Sequence, residues 1–249
     1  MRAFSDPKSY WQASRAHRYS LVFALPLLLA YEALAALAPH TAAGEIRNGA
    51  DVILKELFIA VAGVYGPLLF GVTLAFGSVW LVARDLRARG GGIRPGVFAA
   101  MALEATVLAA LFGVVVGTLT ARLLHLLPAL AIDTGPVDAL SLRTKVMVSL
   151  GAGLYEELLF RVLLVSALAW GARRLLAWGP ASSGLLAVTV SATIFSAFHY
   201  LGPYGDPLRL DSFVFRLLSG LFFSALYLLR GFGITAWTHA LYDLMIVLS

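Results

Sequence analysis

The 249-residue sequence contains no cysteine, and Asp, Glu, Lys and Arg together make up only 13% of it. Without thiols there is no disulfide framework, no thiolate metal site and no cysteine nucleophile, so any metal would have to be held by His, Glu or Asp. The shortage of charge is matched by an excess of apolar residues, 60% of the chain. A water-soluble domain of this length would expose much of that surface, so the composition points to a bilayer as the solvent. The formal net charge of +5 does not argue for a nucleic-acid partner. Its Lys and Arg residues lie in short segments between apolar runs, where they carry topology information.

What the chain has in abundance is apolar runs. A bilayer core about 30 Å thick needs roughly 20 mostly apolar residues per helix. Seven stretches qualify, at residues 20–38, 57–83, 97–124, 144–170, 183–200, 213–229 and 233–248. The expected fold is all-α, a polytopic transmembrane helical bundle of about seven spans forming a single integral membrane domain over residues 1–249. The second run is long enough for residues 51–65 to form a separate interfacial helix broken at Gly66-Pro67. No internal repeat or low-complexity tract is evident.

Basic residues sort by loop parity. Arg2, Lys8, Arg15 and Arg18 precede the first span, Arg84, Arg87, Arg89 and Arg94 follow the second, Arg173 and Arg174 follow the fourth, and Arg230 follows the sixth. The opposite loops are mixed or acidic, with Glu45, Arg47 and Asp51 on the first and Asp206, Arg209 and Asp211 on the third. By the positive-inside rule the N-terminus is cytoplasmic and, with seven spans, the C-terminus is external at the cell membrane. Ala36-Leu37-Ala38 resembles a signal-peptide cleavage site, but the following Pro39, the internal Glu32 and the length of the run favour an uncleaved anchor.

An Asp, Lys or Arg at the centre of a span costs roughly 2.5–3.5 kcal/mol on insertion scales, so ionisable residues inside spans are functional candidates. They cluster in three runs, Tyr155-Glu156-Glu157-Leu158-Leu159-Phe160-Arg161, Phe195-Ser196-Ala197-Phe198-His199 and His239-Ala240-Leu241-Tyr242-Asp243. Glu157 and Arg161 are four apart and share a helical face, whereas Glu156 is rotated about 100° away and is left free for chemistry. His239 and Asp243 are also four apart, so the carboxylate is expected to accept from one ring nitrogen and fix the tautomer. Phe195 lies one turn before His199 and is expected to pack on its ring. A Glu–Arg pair is as often a packing lock between helices as a functional group, and a lone His at a helix end is more often interfacial than catalytic. Together, however, two carboxylates, two histidines and an orienting Asp form the set that water activation requires.

These runs resemble the signature of the CAAX-processing and bacteriocin-processing (CPBP) family of intramembrane proteases, which reads Glu-Glu-x-x-x-Arg, Phe-x-x-x-His, then His-x-x-x-Asn or Asp. The match is Glu156-Glu157-x-x-x-Arg161, Phe195-x-x-x-His199 and His239-x-x-x-Asp243, over about residues 144–249. The resemblance implies an endopeptidase acting on a membrane-anchored protein or peptide, with Glu156 and His199 activating water and His239 and Asp243 near the oxyanion. Asp243 stands where the prenyl-protein branch typically has Asn, and an ionised carboxylate cannot donate to an oxyanion as an amide can. His199, His239 and Glu156 would be the ligands if a metal is used. Both a His/Glu zinc site and metal-free acid–base chemistry with no cofactor are open to this set.

Other protease signatures are absent. The sequence has no His-Glu-x-x-His run, Gly205-Asp206 lacks the Gly-x-Gly-Asp context, and Ser182-Ser183-Gly184 has no His partner in a serine-protease context. Two readings from other classes compete. One is a proton-coupled transporter or channel lined by Glu32, Glu104, Glu156 and Asp243; the other is a non-catalytic scaffold in which Gly113-x-x-x-Gly117 is simply a helix-packing face. A conflict also stands in the span positions: His199 falls near the outer end of span five and His239 near the inner end of span seven. The two meet only if spans are short, tilted or broken, and the Gly202-Pro203-Tyr204-Gly205-Asp206-Pro207 stretch suits a sunken loop after His199.

Overall fold

The computed structural model describes residues 7–37, 46–124, 140–202 and 205–249. Expectations that rest on Arg2, Ala38, Pro39, Glu45, Pro203 and Tyr204, and on the side chain of Lys8, lie outside the described residues. Every described element is a helix. In chain order they are α1 (Pro7–Ser14), α2 (His17–Ala36), α3 (Gly49–Ala62), α4 (Gly66–Arg89), α5 (Pro95–Leu123) and α6 (Leu142–Gly151). A π-helical segment (Ala152–Val165) follows, then α7 (Ser166–Leu175), α8 (Pro180–Phe198), α9 (Leu210–Arg230) and α10 (Phe232–Leu248).

Helix ends follow local chemistry. Asn48 and Ser141 cap α3 and α6 by accepting from the backbone N–H groups of Ala50 and Thr144, the role for which their side-chain oxygens are suited. Pro67, Pro95 and Pro180 stand in the first turns of α4, α5 and α8, where a missing N–H costs nothing. Glycines at positive φ, Gly63, Gly90 and Gly231, close α3, α4 and α9.

Five helical runs among the described residues are long and apolar enough to cross a membrane: His17–Ala36, Gly49–Arg89, Pro95–Leu123, Pro180–Phe198 and Leu210–Arg230. The two remaining expected spans are the continuous stretch from α6 to α7, which carries the Glu156–Arg161 charges, and the 17-residue α10. The chain is an all-helical, multi-pass membrane protein. Its exposed face is apolar, as on Val61, Val64, Leu68, Phe76 and Val79, while its interior holds Asp51, Glu156, Glu157, Arg161 and His239. That polarity suits a lipid solvent.

The long second run does not continue as one rod. The rings of Phe58 and Phe70 lie 5.4 Å apart, although twelve residues of continuous α-helix would separate them by about 18 Å. Residues Gly63–Tyr65 form a tight turn, and α4 folds back against α3. The break therefore comes just before the expected Gly66-Pro67.

The π segment is the hub. It packs against α2, α3, α8, α9 and α10, and every residue from Leu150 to Glu157 is buried. Its closest approach is to α10, where a Cβ on Gly153 would collide with the Ala236 carbonyl oxygen and fall 2.7 Å from the Ala240 nitrogen. Small residues let membrane helices touch backbone to backbone in this way. Of the expected Gly113/Gly117 face, only Gly113 serves packing, against the Tyr242 ring; a Cβ on Gly117 would meet no described atom within 4 Å.

Candidate active site

The π segment, α8 and α10 bring the three sequence runs together. Glu157 is completely buried and Arg161 nearly so, and they form the expected ion pair at 3.1 Å. The guanidinium lies 4.3 Å over the ring of Phe195 and 5.5 Å over that of Phe223, and cation–π contact offsets part of its desolvation. Phe223 in turn stacks on His239, with centroids 4.4 Å apart and planes at 19°.

The orientation of His239 corrects the sequence expectation. Its Nδ1 meets Oε1 of Glu157 at 2.7 Å, whereas its Nε2 is 3.6 Å from Asp243 Oδ2, beyond hydrogen-bond range. A carboxylate accepts, so Nδ1–H donates to Glu157 and the tautomer is fixed by Glu157, not by Asp243. The physical reason is competition between acceptors. The Glu157 carboxylate reaches the ring from a neighbouring helix in direct line, while Asp243 on the same helix stops short.

His199 caps the C-terminal end of α8. Its Nδ1 lies 2.8 Å from the carbonyl oxygen of Phe195, so this nitrogen donates and Nε2 is left as the acceptor of a neutral ring. Phe195 packs edge-on against it at 4.9 Å, as expected, and also reaches His239 at 6.2 Å. The apparent conflict between span positions is thereby removed. α10 is short enough that His239 sits near its middle, and Phe195, one turn back from His199, bridges the remaining gap.

Glu156 is buried. Its Oε1 accepts from Asn48 Nδ2 at 2.8 Å, and its Oε2 has no hydrogen-bond partner among the described residues. The carboxylate lies within electrostatic reach of His199, His239 and Arg161. The sequence gives no sign of Asn48's part here. It comes from the first half of the chain, and a lone Asn before a helix reads only as a cap. Phe223 carries no signal either, since one more Phe in an apolar span is unremarkable.

The side chains themselves decide the fit to a metal. Among the described residues no three of His, Asp or Glu are grouped so as to hold an ion. The Nδ1 atoms of both histidines are committed, to Glu157 and to the Phe195 carbonyl. Each Nε2 stays available, since an acceptor held at Nδ1 is compatible with metal ligation and with acid–base chemistry alike. The carboxylates of the competing transport reading are dispersed. Glu104 is held by Arg230 and Tyr10, and Glu32 by Tyr155, Arg47 and Lys55.

Comparison with known proteins gives one positive result, a match of residues 139–245 to the family described as type II CAAX prenyl endopeptidase Rce1-like. Neither the curated proteins nor the solved structures contain a match. The matched stretch spans α6 to α10 and holds Glu156, Glu157, Arg161, His199, His239 and Asp243 in the order of the family signature. With its three motifs converging on one buried site, this C-terminal core is similar to the CAAX-protease (CPBP) family, which the match supports.

Proposed function

We propose that the chain is an intramembrane endopeptidase that hydrolyses a peptide bond of a membrane-associated protein, with Glu156 as the water-activating base. The observation that carries this reading is the division of labour between adjacent carboxylates. Glu157 is tied through Oε1 to both Arg161 and His239, while Glu156 makes neither contact and, held only by Asn48, keeps Oε2, like that of Glu157, without a hydrogen-bond partner among the described residues, within electrostatic reach of two histidines.

In this mechanism Oε2 of Glu156 takes a proton from water while the oxygen adds to the scissile carbonyl carbon. His199, whose Nε2 is the accepting nitrogen, orients the same water. His239 has Nδ1–H committed to Glu157, so it donates from Nε2 to the developing oxyanion as the imidazolium, whose second proton stays on the ring through the step. Collapse of the tetrahedral intermediate breaks the C–N bond, and protonated Glu156 returns its proton to the leaving amine. Asp243 borders the oxyanion position without donating to it. In this reading the side chains carry each of these steps themselves.

The substrate class follows from the site's surroundings and from the family's description as CAAX prenyl endopeptidases. A bond cut here belongs to a segment delivered from the bilayer, and Asp243 in place of the amide favours a substrate other than the prenylated one. The loop charges, read by the positive-inside rule, support a cytoplasmic N-terminus and an external C-terminus.

The test compares wild type with Glu156→Gln in membranes, mapping the termini of membrane proteins by mass spectrometry. Termini present with wild type should vanish with the variant, which keeps its melting temperature. Identical termini in the two membranes would overturn the proposal.

A further inference from the structure

Glu156 has two oxygens, and the proposed chemistry needs one of them held still while the other works. The group that holds it comes from outside the matched stretch. Asn48 is buried, at 3% exposure, and its amide is bound at both ends. Oδ1 accepts from the Ala50 N–H at 2.9 Å and Nδ2 donates to Oε1 of Glu156 at 2.8 Å. The orientation of the amide follows from its partners, since a backbone N–H only donates and a carboxylate only accepts.

A purely structural role does not account for this residue. Ser or Thr would cap α3 about as well; what Asn adds is the nitrogen, and the nitrogen goes to Glu156. The surroundings fix its position further. The Asn48 N–H donates to the Tyr31 hydroxyl at 3.2 Å, and that hydroxyl donates to Asp51 at 2.8 Å. Asp51 is paired with Lys55 at 2.7 Å. Room for the approach is provided by Gly151, where a Cβ would lie 2.5 Å from Tyr31 Cε2 and 2.8 Å from Asn48 Cβ. Three elements, α2, α3 and the end of α6, thus converge to present one N–H to one carboxylate oxygen.

We infer that Asn48 is a positioning residue that holds Oε1 of Glu156 so that Oε2 faces the reacting water. The inference rests on the proposed role of Glu156. Orientation by such a neighbour is exerted in the chemical step, so its loss lowers kcat while leaving substrate binding and the fold in place.

The experiment uses the full chain in detergent micelles with two internally quenched peptides, one ending in a prenylated CAAX sequence and one in its unprenylated counterpart. Asn48→Ser and Asn48→Asp keep the cap oxygen and remove the donor; Asn48→Ala removes both. The Ser variant should melt near the wild-type temperature and keep its KM, with kcat reduced about 10-fold or more. The Asp variant should lose more, because its carboxylate faces that of Glu156, and the Ala variant should add a drop in melting temperature. Wild-type kcat in the Ser variant would overturn the inference. So would kcat losses across the three that only follow their melting temperatures, which assigns Asn48 to capping. Glu156→Gln, run in parallel, separates the two levels. Activity surviving in that variant overturns the role of Glu156 on which the inference rests, and cleavage of neither peptide by wild type overturns the endopeptidase reading for CAAX-ended substrates.

Discussion

At the scale of the residue, the most consequential feature is that Glu157 serves two partners. It neutralises Arg161 and holds the Nδ1–H of His239, so Glu157→Gln should weaken both. Leaving a buried guanidinium without its counter-charge costs about 3–5 kcal/mol, and a lowered melting temperature should accompany lost turnover. Asp243 has the opposite profile. Because Glu157 already orients the ring and Asp243 stops at 3.6 Å, Asp243→Asn should retain turnover and fold. Activity assays paired with thermal melts of the two variants check this, and a Glu157→Gln variant as stable as wild type would contradict the shared role of Glu157. The six charged and imidazole residues are all legible in the sequence, since ionisable groups stand out in apolar spans. Their pairing is only partly legible. Helical spacing identifies Glu157–Arg161, but it reports only partners on the same helix, and so it assigns His239 to Asp243 when a carboxylate on another helix has the better line.

At the scale of the element, the site depends on how closely the π segment meets α10. The segment hydrogen-bonds in the wider i→i+5 pattern, a rare winding frequent at functional sites, and buries Tyr155, Glu156 and Glu157. Gly153 sets the distance to α10. Gly153→Ala places a methyl against the Ala236 carbonyl, and α10 must yield, carrying His239 away from Glu156. Overpacking of this kind costs about 1–3 kcal/mol, and a shift of about 1 Å at the chemistry costs on the order of 100-fold in rate. A melting curve and a kcat measured together should both fall; an unchanged kcat would show that the contact does not set the site. Helix ends are readable from Pro, Gly, Asn and Ser. The π winding is not, because it is a response to packing on all sides that leaves no period in the sequence. The fold-back of α4 on α3 is half visible, in Gly66-Pro67, but direction after a break is set by tertiary contacts such as Phe58–Phe70.

At the scale of the whole molecule, the two ends of the bundle differ in chemistry, and this difference bears on which side of the membrane substrate arrives from. One end gathers the basic segments. Arg18 pairs with Asp85 at 2.7 Å and donates to the carbonyls of Gly90 and Gly91, Arg15 reaches the Leu228 carbonyl, and Arg230 binds Glu104 and Ser14. The N-terminal segment, the α4–α5 loop and the α9–α10 junction are therefore neighbours, as loop parity requires. His199 belongs to the other end. It terminates α8, its carbonyl accepts from the Asp206 N–H, and Asp206 pairs with Arg216 in the second turn of α9. If the basic end is cytoplasmic, the loop after His199 lies outside and the site is entered from that side. Reporter fusions after residues 90 and 175 should then read cytoplasmic and one after residue 206 external. A cytoplasmic signal at residue 206 would invert this assignment and return cytoplasmic prenylated chains to first place among substrates. An external signal there, with cytoplasmic signals at 90 and 175, directs the search to proteins whose anchored ends emerge on the outer face.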